Sequence, residues 1–364
     1  MRPEIGRSTA EATHGFEPLA AGFARALETR PDLLAETFCT FAGRPARLRA
    51  VGRDLADRLG RPFAHLQTDD RGGSPAELCI DLWDASATGI SPPRMSTAAP
   101  ETWRTWSVNG GTLGASVDGR EIVFQFRDSL TCLDRETQRI VGCVTDSTQL
   151  SLYERGKPLQ LLLSAWHQDR DVMVLHAAMV AREGRGVLLP GKGGIGKSTS
   201  ALACLSGGFS FLGDDYIGLE TRGGLAFLGH SLYGSTWLEP SHATRFPELV
   251  DWGIRGTHPD EVKLLVLLSE IYPARLMRVA SIRAIALPRI RHGEHSCLRP
   301  ATKTEALLQL APSSLLMVLG PGARGLERLA QLVDRVPCHW LELGRDLGEI
   351  PERVAELLDR VAGP

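Results

Sequence analysis

The sequence predicts an α/β fold: a phosphate-loop core preceded by a smaller α+β domain. Two observations carry this. First, the run Val187–Thr199 (VLLPGKGGIGKST) sets a glycine-rich loop between a strand-like stretch and a helix-like stretch, as a phosphate loop requires. Second, from Trp103 to Asp146 the hydrophobic period changes to two, which marks a separate antiparallel sheet upstream. The expected division is residues 1–150 and 151–364.

In the first domain, residues 1–15 read as an unstructured start. From Phe16 to Thr40, apolar residues at helical spacing (Leu19, Phe23, Leu27, then Leu33, Leu34, Phe38) predict two short helices. Arg47–Val51 reads as a strand, Arg53–Leu59 as a helix ended by Gly60, and Glu77–Trp83 as a strand. The Ser-, Thr-, Ala- and Pro-rich residues 85–101 read as a loop. Strands follow at Gly114–Asp118, Glu121–Phe126, Ser129–Asp134 and Arg139–Val144, with Asp118-Gly119 as a hairpin turn. The tryptophans Trp83, Trp103 and Trp106 fit packing positions better than a recognition surface.

Leu152–His167 predicts a helix broken by Gly156 and Pro158, leading into the second domain. Val172–Arg182 reads as one strand, Glu183–Gly186 as a turn, and Phe209–Glu220 as strand, acidic pair, strand. Further strands are expected at Gly229–Leu238, Val262–Leu268, Ala284–Arg289 and His339–Leu343. Helices are expected at Thr304–Leu319, Ala323–Val333 and Pro351–Val361.

The chain has 364 residues, enough for two domains. Its formal net charge of −2 supplies no basic field, which argues against a nucleic-acid partner. No apolar run reaches membrane-spanning length and the N-terminus lacks a signal-peptide core, so no membrane partner is expected. Seven cysteines without a C-x-x-C pair fit a reduced, cytoplasmic chain. A homo-oligomer is compatible with the sequence.

Gly191, Gly196, Lys197 and Ser198 match G-x-x-x-x-G-K-[ST]. Gly191, Gly193, Gly194 and Gly196 let the backbone around Ile195 turn tightly and bring its N–H groups towards phosphate oxygens. Lys197 offers a mobile, solvated charge for the β- and γ-phosphates, and the Ser198 hydroxyl a ligand for Mg²⁺. From Thr199 a helix begins with its N-terminus towards the anion. The expected ligands are therefore ATP and Mg²⁺. Asp214-Asp215 ends an apolar strand, where a carboxylate serves the metal or positions a nucleophile. Lys263 opens a later strand. His176, alone in an apolar run, reads on spacing as a core residue. His292, His295 and Cys297 lack a fourth zinc ligand and the usual spacing, and read as a polar turn.

VLHAAMV, LLPGKGGIGKST and FLGDDYIGLE, in that order, closely resemble the core of HPr kinase/phosphorylase, over roughly residues 170–290. The resemblance extends to the kinase-like half of phosphoenolpyruvate carboxykinase. It implies that His176 lies by the transferred phosphate and that one aspartate is the base towards a serine hydroxyl. Asp215 is the expected base on the family pattern, and Asp214 with Ser198 the metal partner. The family's run of the form E-x-R-G-x-G-I-I-N-V has no counterpart, the nearest string being Trp252–Gly256. FAGRPARLRAVG and ELCIDLWDA instead look like HPr-kinase-related proteins found beside enzymes that mature ribosomal peptides, lasso peptides included. That implies a serine kinase acting on a protein or precursor peptide chosen by the N-terminal domain. The residues alone also fit a kinase of small hydroxyl metabolites, or a nucleotide-gated peptide-binding module without catalysis.

Overall fold

The computed structural model describes residues 15–69, 75–93, 101–108, 110–224, 226–291, 293–315 and 322–361. The chain is a mixed α/β protein with two large sheets. It divides into two compact units: residues 1–36, 47–56 and 77–150, and residues 37–46, 57–76 and 151–364. The expected unstructured start, residues 1–15, lies outside the described residues except for Gly15, as do residues 94–100 of the expected loop.

An eight-stranded sheet comprises β1 (Leu34–Phe41), β2 (Arg44–Val51), β3 (Leu78–Asp84), β4 (Trp103–Val108), β5 (Gly111–Ser116), β6 (Glu121–Phe126), β7 (Ser129–Asp134) and β8 (Arg139–Val144), in the order β1-β2-β3-β8-β7-β6-β5-β4. It is larger than the expected sheet, and β3 runs parallel to β8. Helix Phe16–Thr29 buries Leu19, Phe23 and Ala26 among Trp83, Val141 and Cys143. Gly22 meets Trp83 so closely that an added Cβ would lie 2.7 Å from its ring. Trp83 is therefore core, Trp103 packs against the same cluster, and Trp106 stays 43% exposed.

The second expected helix in Phe16–Thr40 is instead β1. Pro31 starts a single 3-10 turn, Pro31–Leu33, and the Thr37–Phe41 run of β-branched and aromatic residues overrides the chance spacing of Leu33, Leu34 and Phe38. Ala42 and Gly43 both have positive φ, as a two-residue hairpin turn demands. Within residues 85–101, Asp84 caps a one-turn helix, Ala85–Thr88, by accepting from the Ser86 and Ala87 amides.

The second unit holds β9 (Val172–Leu175), β10 (Ala177–Arg182), β11 (Arg185–Pro190), β12 (Ser210–Gly213), β13 (Ile217–Arg222), β14 (Ala226–Ser231), β15 (Ser235–Leu238), β16 (Leu264–Leu267), β17 (Val279–Ile290), β18 (Cys297–Pro300) and β19 (Cys338–Leu343). Nine of them form one sheet, ordered β12-β10-β11-β17-β14-β13-β9, with β19 also on β17 and β18 on β19; β15 and β16 pair separately. Ala178, Val180, Val187, Leu189, Ala284 and Ala286 face one hydrophobic cluster, and Ala177, Met179, Leu188, Ile285 and Leu287 the other. Helices Lys197–Ser206 and Glu349–Arg360 pack on the first face; Lys303–Leu315 and Gly322–Arg335 pack on the second. Burial on both faces explains why these strands read as continuous apolar runs. No helix among the described residues is long and apolar enough to cross a membrane.

Three expectations change here. Val172–Arg182 is two strands broken at His176, because β9 pairs with β13 while β10 pairs with β11 and β12. Gly229–Leu238 is likewise two strands, in different sheets. The turn before the loop shrinks to Glu183-Gly184, both at positive φ, and Arg185 and Gly186 already belong to β11.

Candidate functional site

β11, β17 and β19 run parallel, so their carboxyl ends emerge together. The first leads into the glycine-rich loop, the second delivers Ile290-Arg291, and the third Leu343-Gly344-Arg345. Ligands bind open α/β sheets at this end. A cavity of about 410 Å³ lies there. Gly193, Gly194, Gly196, Lys197, Ser198 and Thr199 form one wall, and Asp215, Glu239, Arg245, Lys263, Arg291 and Arg345 bring charge to it.

The loop's glycines are used in two ways. Gly191 and Gly196 have φ of 134° and 106°, and an added Cβ would strike Ile195 at the first and Leu343 at the second. At Gly193 and Gly194 no atom outside the adjoining residues lies within 4 Å of that position, so the loop's outer face is bare backbone. The following helix, Lys197–Ser206, starts at Gly196 with no side chain capping its first N–H groups, which leaves these donors for an anion.

Lys197 differs from the solvated charge that the sequence suggested. It is 5% exposed, and its Nζ donates to the Lys192 carbonyl at 3.1 Å. Burial, and secondarily Lys263, lowers its pKa, against the pull of Asp215 and Asp214.

The acidic pair sits at a break in the sheet. β9 meets β13 with Leu175 opposite Ile217, and β10 meets β12 with Met179 opposite Gly213. In the gap between these two ladders, His176 faces Asp214–Tyr216. His176 Nε2 lies 3.4 Å from Asp215 Oδ1, and its ring is 6.3 Å from that of Tyr216. Its backbone N–H is taken by Ser314 Oγ at 3.2 Å. Spacing alone had favoured a core histidine; the geometry pairs it with Asp215.

The two aspartates diverge. Asp214 is 1% exposed and accepts from Ser198 Oγ at 3.0 Å and from Thr236 Oγ1 at 2.7 Å. Burial, then the charge of Asp215, raises its pKa. Asp215 lines the cavity, with its side chain 24% exposed. Burial acts against its ionisation too, but His176, Lys157 and Lys197 outweigh it and the net shift is downward. Asp215 has φ of 70°, a left-handed conformation that aspartate tolerates better than most residues.

Mg²⁺ takes one or two protein oxygens, keeps waters and shares phosphate oxygens. The adjacent Ser198 Oγ and Asp214 Oδ1 fit that donor set. The zinc reading gains nothing: His295 Nδ1 pairs with Glu349 at 2.6 Å, Cys297 Sγ lies 3.5 Å from Glu342, and His292 is outside the described residues. Among the described residues, no three His, Cys, Asp or Glu side chains are grouped to hold a metal.

Lys263 lines the cavity and pairs with Glu239 at 2.8 Å. Sequence reasoning missed Thr236, Glu239, the arginines at the cavity rim and Lys157. Lys157 is 1% exposed and donates to the backbone carbonyls of Asp214 and Ser235, each at 2.9 Å. The turn residues around Lys157 were legible; its partners were not.

No family model and no curated protein matches the chain. Among solved structures, the HPr(Ser) kinase/phosphatase from Coxiella burnetii aligns with 52% of this chain and 99% of its own, at 13% identity and a TM-score of 0.29.

Proposed function

We propose that the second unit is a kinase core, of the HPr kinase and phosphoenolpyruvate carboxykinase type, that transfers the γ-phosphoryl group of ATP to a serine hydroxyl of a protein or ribosomally made precursor peptide. The observation that carries this is that Ser198 and Asp215 line one cavity with the phosphate loop, Ser198 bonded to Asp214 and Asp215 paired with His176. The loop N–H groups and Lys197 hold the β- and γ-phosphates. Ser198 and Asp214 would hold Mg²⁺, which would neutralise phosphate charge. Asp215, ionised at neutral pH, orients the acceptor hydroxyl and takes its proton as the new O–P bond forms and the bond to the β-phosphate oxygen breaks. A weak base suffices, because phosphoryl transfer is governed by positioning and charge neutralisation. His176 fixes the Asp215 carboxylate and lies within reach of the transferred group. The N-terminal unit, with no acidic or basic constellation of this kind among its described residues, selects the acceptor.

The test mixes the purified protein with γ-labelled ATP and Mg²⁺, separately with serine-containing precursor peptides, with hydroxyl metabolites and with no acceptor. Label on a peptide serine supports the proposal. Label on a metabolite only replaces the acceptor class. ATP binding without turnover in any arm refutes catalysis and leaves a nucleotide-gated binding module.

A further inference from the structure

A buried lysine normally answers a carboxylate, because taking an ammonium out of water is costly unless it is paired. Lys157 answers two backbone carbonyls instead, with the Tyr233 ring 5.4 Å from its Nζ. Those carbonyls belong to the two segments that hold the acidic pair. The Asp214 carbonyl is part of the peptide plane that enters Asp215, so fixing its direction fixes the φ of Asp215 and hence where that carboxylate points. The Ser235 carbonyl belongs to β15, and the next residue, Thr236, grips Asp214. The turn carrying Lys157 is itself anchored to the same strand region: Ser235 Oγ donates to the Gly156 carbonyl at 2.6 Å, and Tyr233 OH to the Pro158 carbonyl at 3.1 Å.

We propose that Lys157 is a positioning residue: its ammonium ties the Asp214–Asp215 peptide to β15 and so aims the Asp215 carboxylate at the reacting hydroxyl. The left-handed φ of Asp215 makes such a tie necessary. A non-glycine residue there is strained and persists only when its surroundings over-determine it. This inference rests on the kinase reading above and adds to it a residue that touches neither nucleotide nor acceptor.

Lys157→Met keeps the volume of the stem and removes the donor. Misplacement of a reacting group by about 1 Å costs on the order of 10²-fold in rate. The expected result is a fall in kcat of about that size, with the Kd for a non-hydrolysable ATP analogue changed less than about threefold, since the loop and Lys197 are untouched. The decisive arm is the double variant with Asp215→Asn. A residue that acts through Asp215 has nothing left to position, so Lys157→Met should lower kcat no further in that background. Full additivity, an unchanged kcat in the single variant, or a loss of nucleotide affinity in place of kcat overturns the proposal. If Lys157→Met does not fold, Tyr233→Phe decides. It keeps the ring, frees the Pro158 carbonyl, and should lower kcat by several-fold with the same non-additivity. The two levels fail separately. If Asp215→Asn turns over ATP like the unmodified protein, the kinase reading falls and takes this inference with it; if Asp215→Asn is impaired but Lys157→Met is not, only the inference falls.

Discussion

Replacement of His167 by phenylalanine should flatten the acid side of the stability profile. His167 lies on helix Gln160–Gln168, 2% exposed, against Trp166 at 5.1 Å and Phe41 at 6.4 Å between ring centroids. Among the described residues, its buried Nδ1 has no hydrogen-bond partner. Burial first, then the charges of His230, Arg170 and Arg44, pushes its pKa down to about 3. The unfolded chain binds a proton near 6.5. Below that value the unfolded state holds more protons than the fold, so the stability present above pH 6.5 is lost as pH falls towards 3. Between pH 7 and pH 5 this single group removes about 2 kcal/mol, and near pH 3 the loss reaches about 4 kcal/mol. His65, pushed to about 4 chiefly by burial, adds a similar fall over the same interval. The measurement is urea unfolding of both proteins at pH 7 and pH 5. His167→Phe should lose about 2 kcal/mol less than the unmodified protein across that interval. An equal loss in both refutes the account of His167 as a ring buried neutral.

Four further outcomes are expected. Asp215→Asn should lower kcat by about 10²–10⁴-fold at all Mg²⁺ concentrations, whereas Asp214→Asn should recover part of its rate at high Mg²⁺; near-normal kinetics in both would reduce the pair to a structural turn. Lys197→Met should abolish turnover yet keep the far-ultraviolet dichroism and a melting temperature close to that of the unmodified protein; retained turnover would remove the phosphate-loop assignment. Gly196→Ala should lose about 1–3 kcal/mol from its φ of 106° alone, with weakened ATP binding besides, both measurable by thermal shift with and without nucleotide. A chain starting at Ser151 lacks the segments 37–46 and 57–76 of its own unit and should melt well below the full-length protein; equal melting would show those segments to be dispensable.

The glycine-rich loop was legible because its chemistry is written in consecutive residues, each needed for its own backbone or side-chain property. The acidic pair was legible as a pair, but residue spacing did not reach the division between them, which only the resemblance supplied. That division depends on a break in pairing at His176, which periodicity reads as one continuous strand. β1 was misread because Leu33, Leu34 and Phe38 happen to share a helical face, while the Thr37–Phe41 run decided the outcome. Lys157 left no pattern at all, since every residue carries the carbonyl it seeks. The membership of residues 57–76 in the second unit was equally invisible, because it rests on pairs such as Arg61 with Glu270 and His65 with Ser231, separated by 209 and 166 positions.

That discontinuity has a consequence for synthesis on the ribosome. Arg61 leaves the exit tunnel 209 residues ahead of Glu270, an interval of roughly 10–40 s at common elongation rates of about 5–20 residues per second. During it, Phe63 and Leu66, both later buried, can meet early partners such as Phe41 and Thr40 but not the late ring of Tyr233, which covers Phe63 in the fold. The nascent chain must shelter this early segment, through chaperones or transient collapse, until its late partners arrive. Slower translation of the region before β17 would lengthen that exposed interval, so yield of active protein should depend on codon choice there more than on codon choice in the first unit.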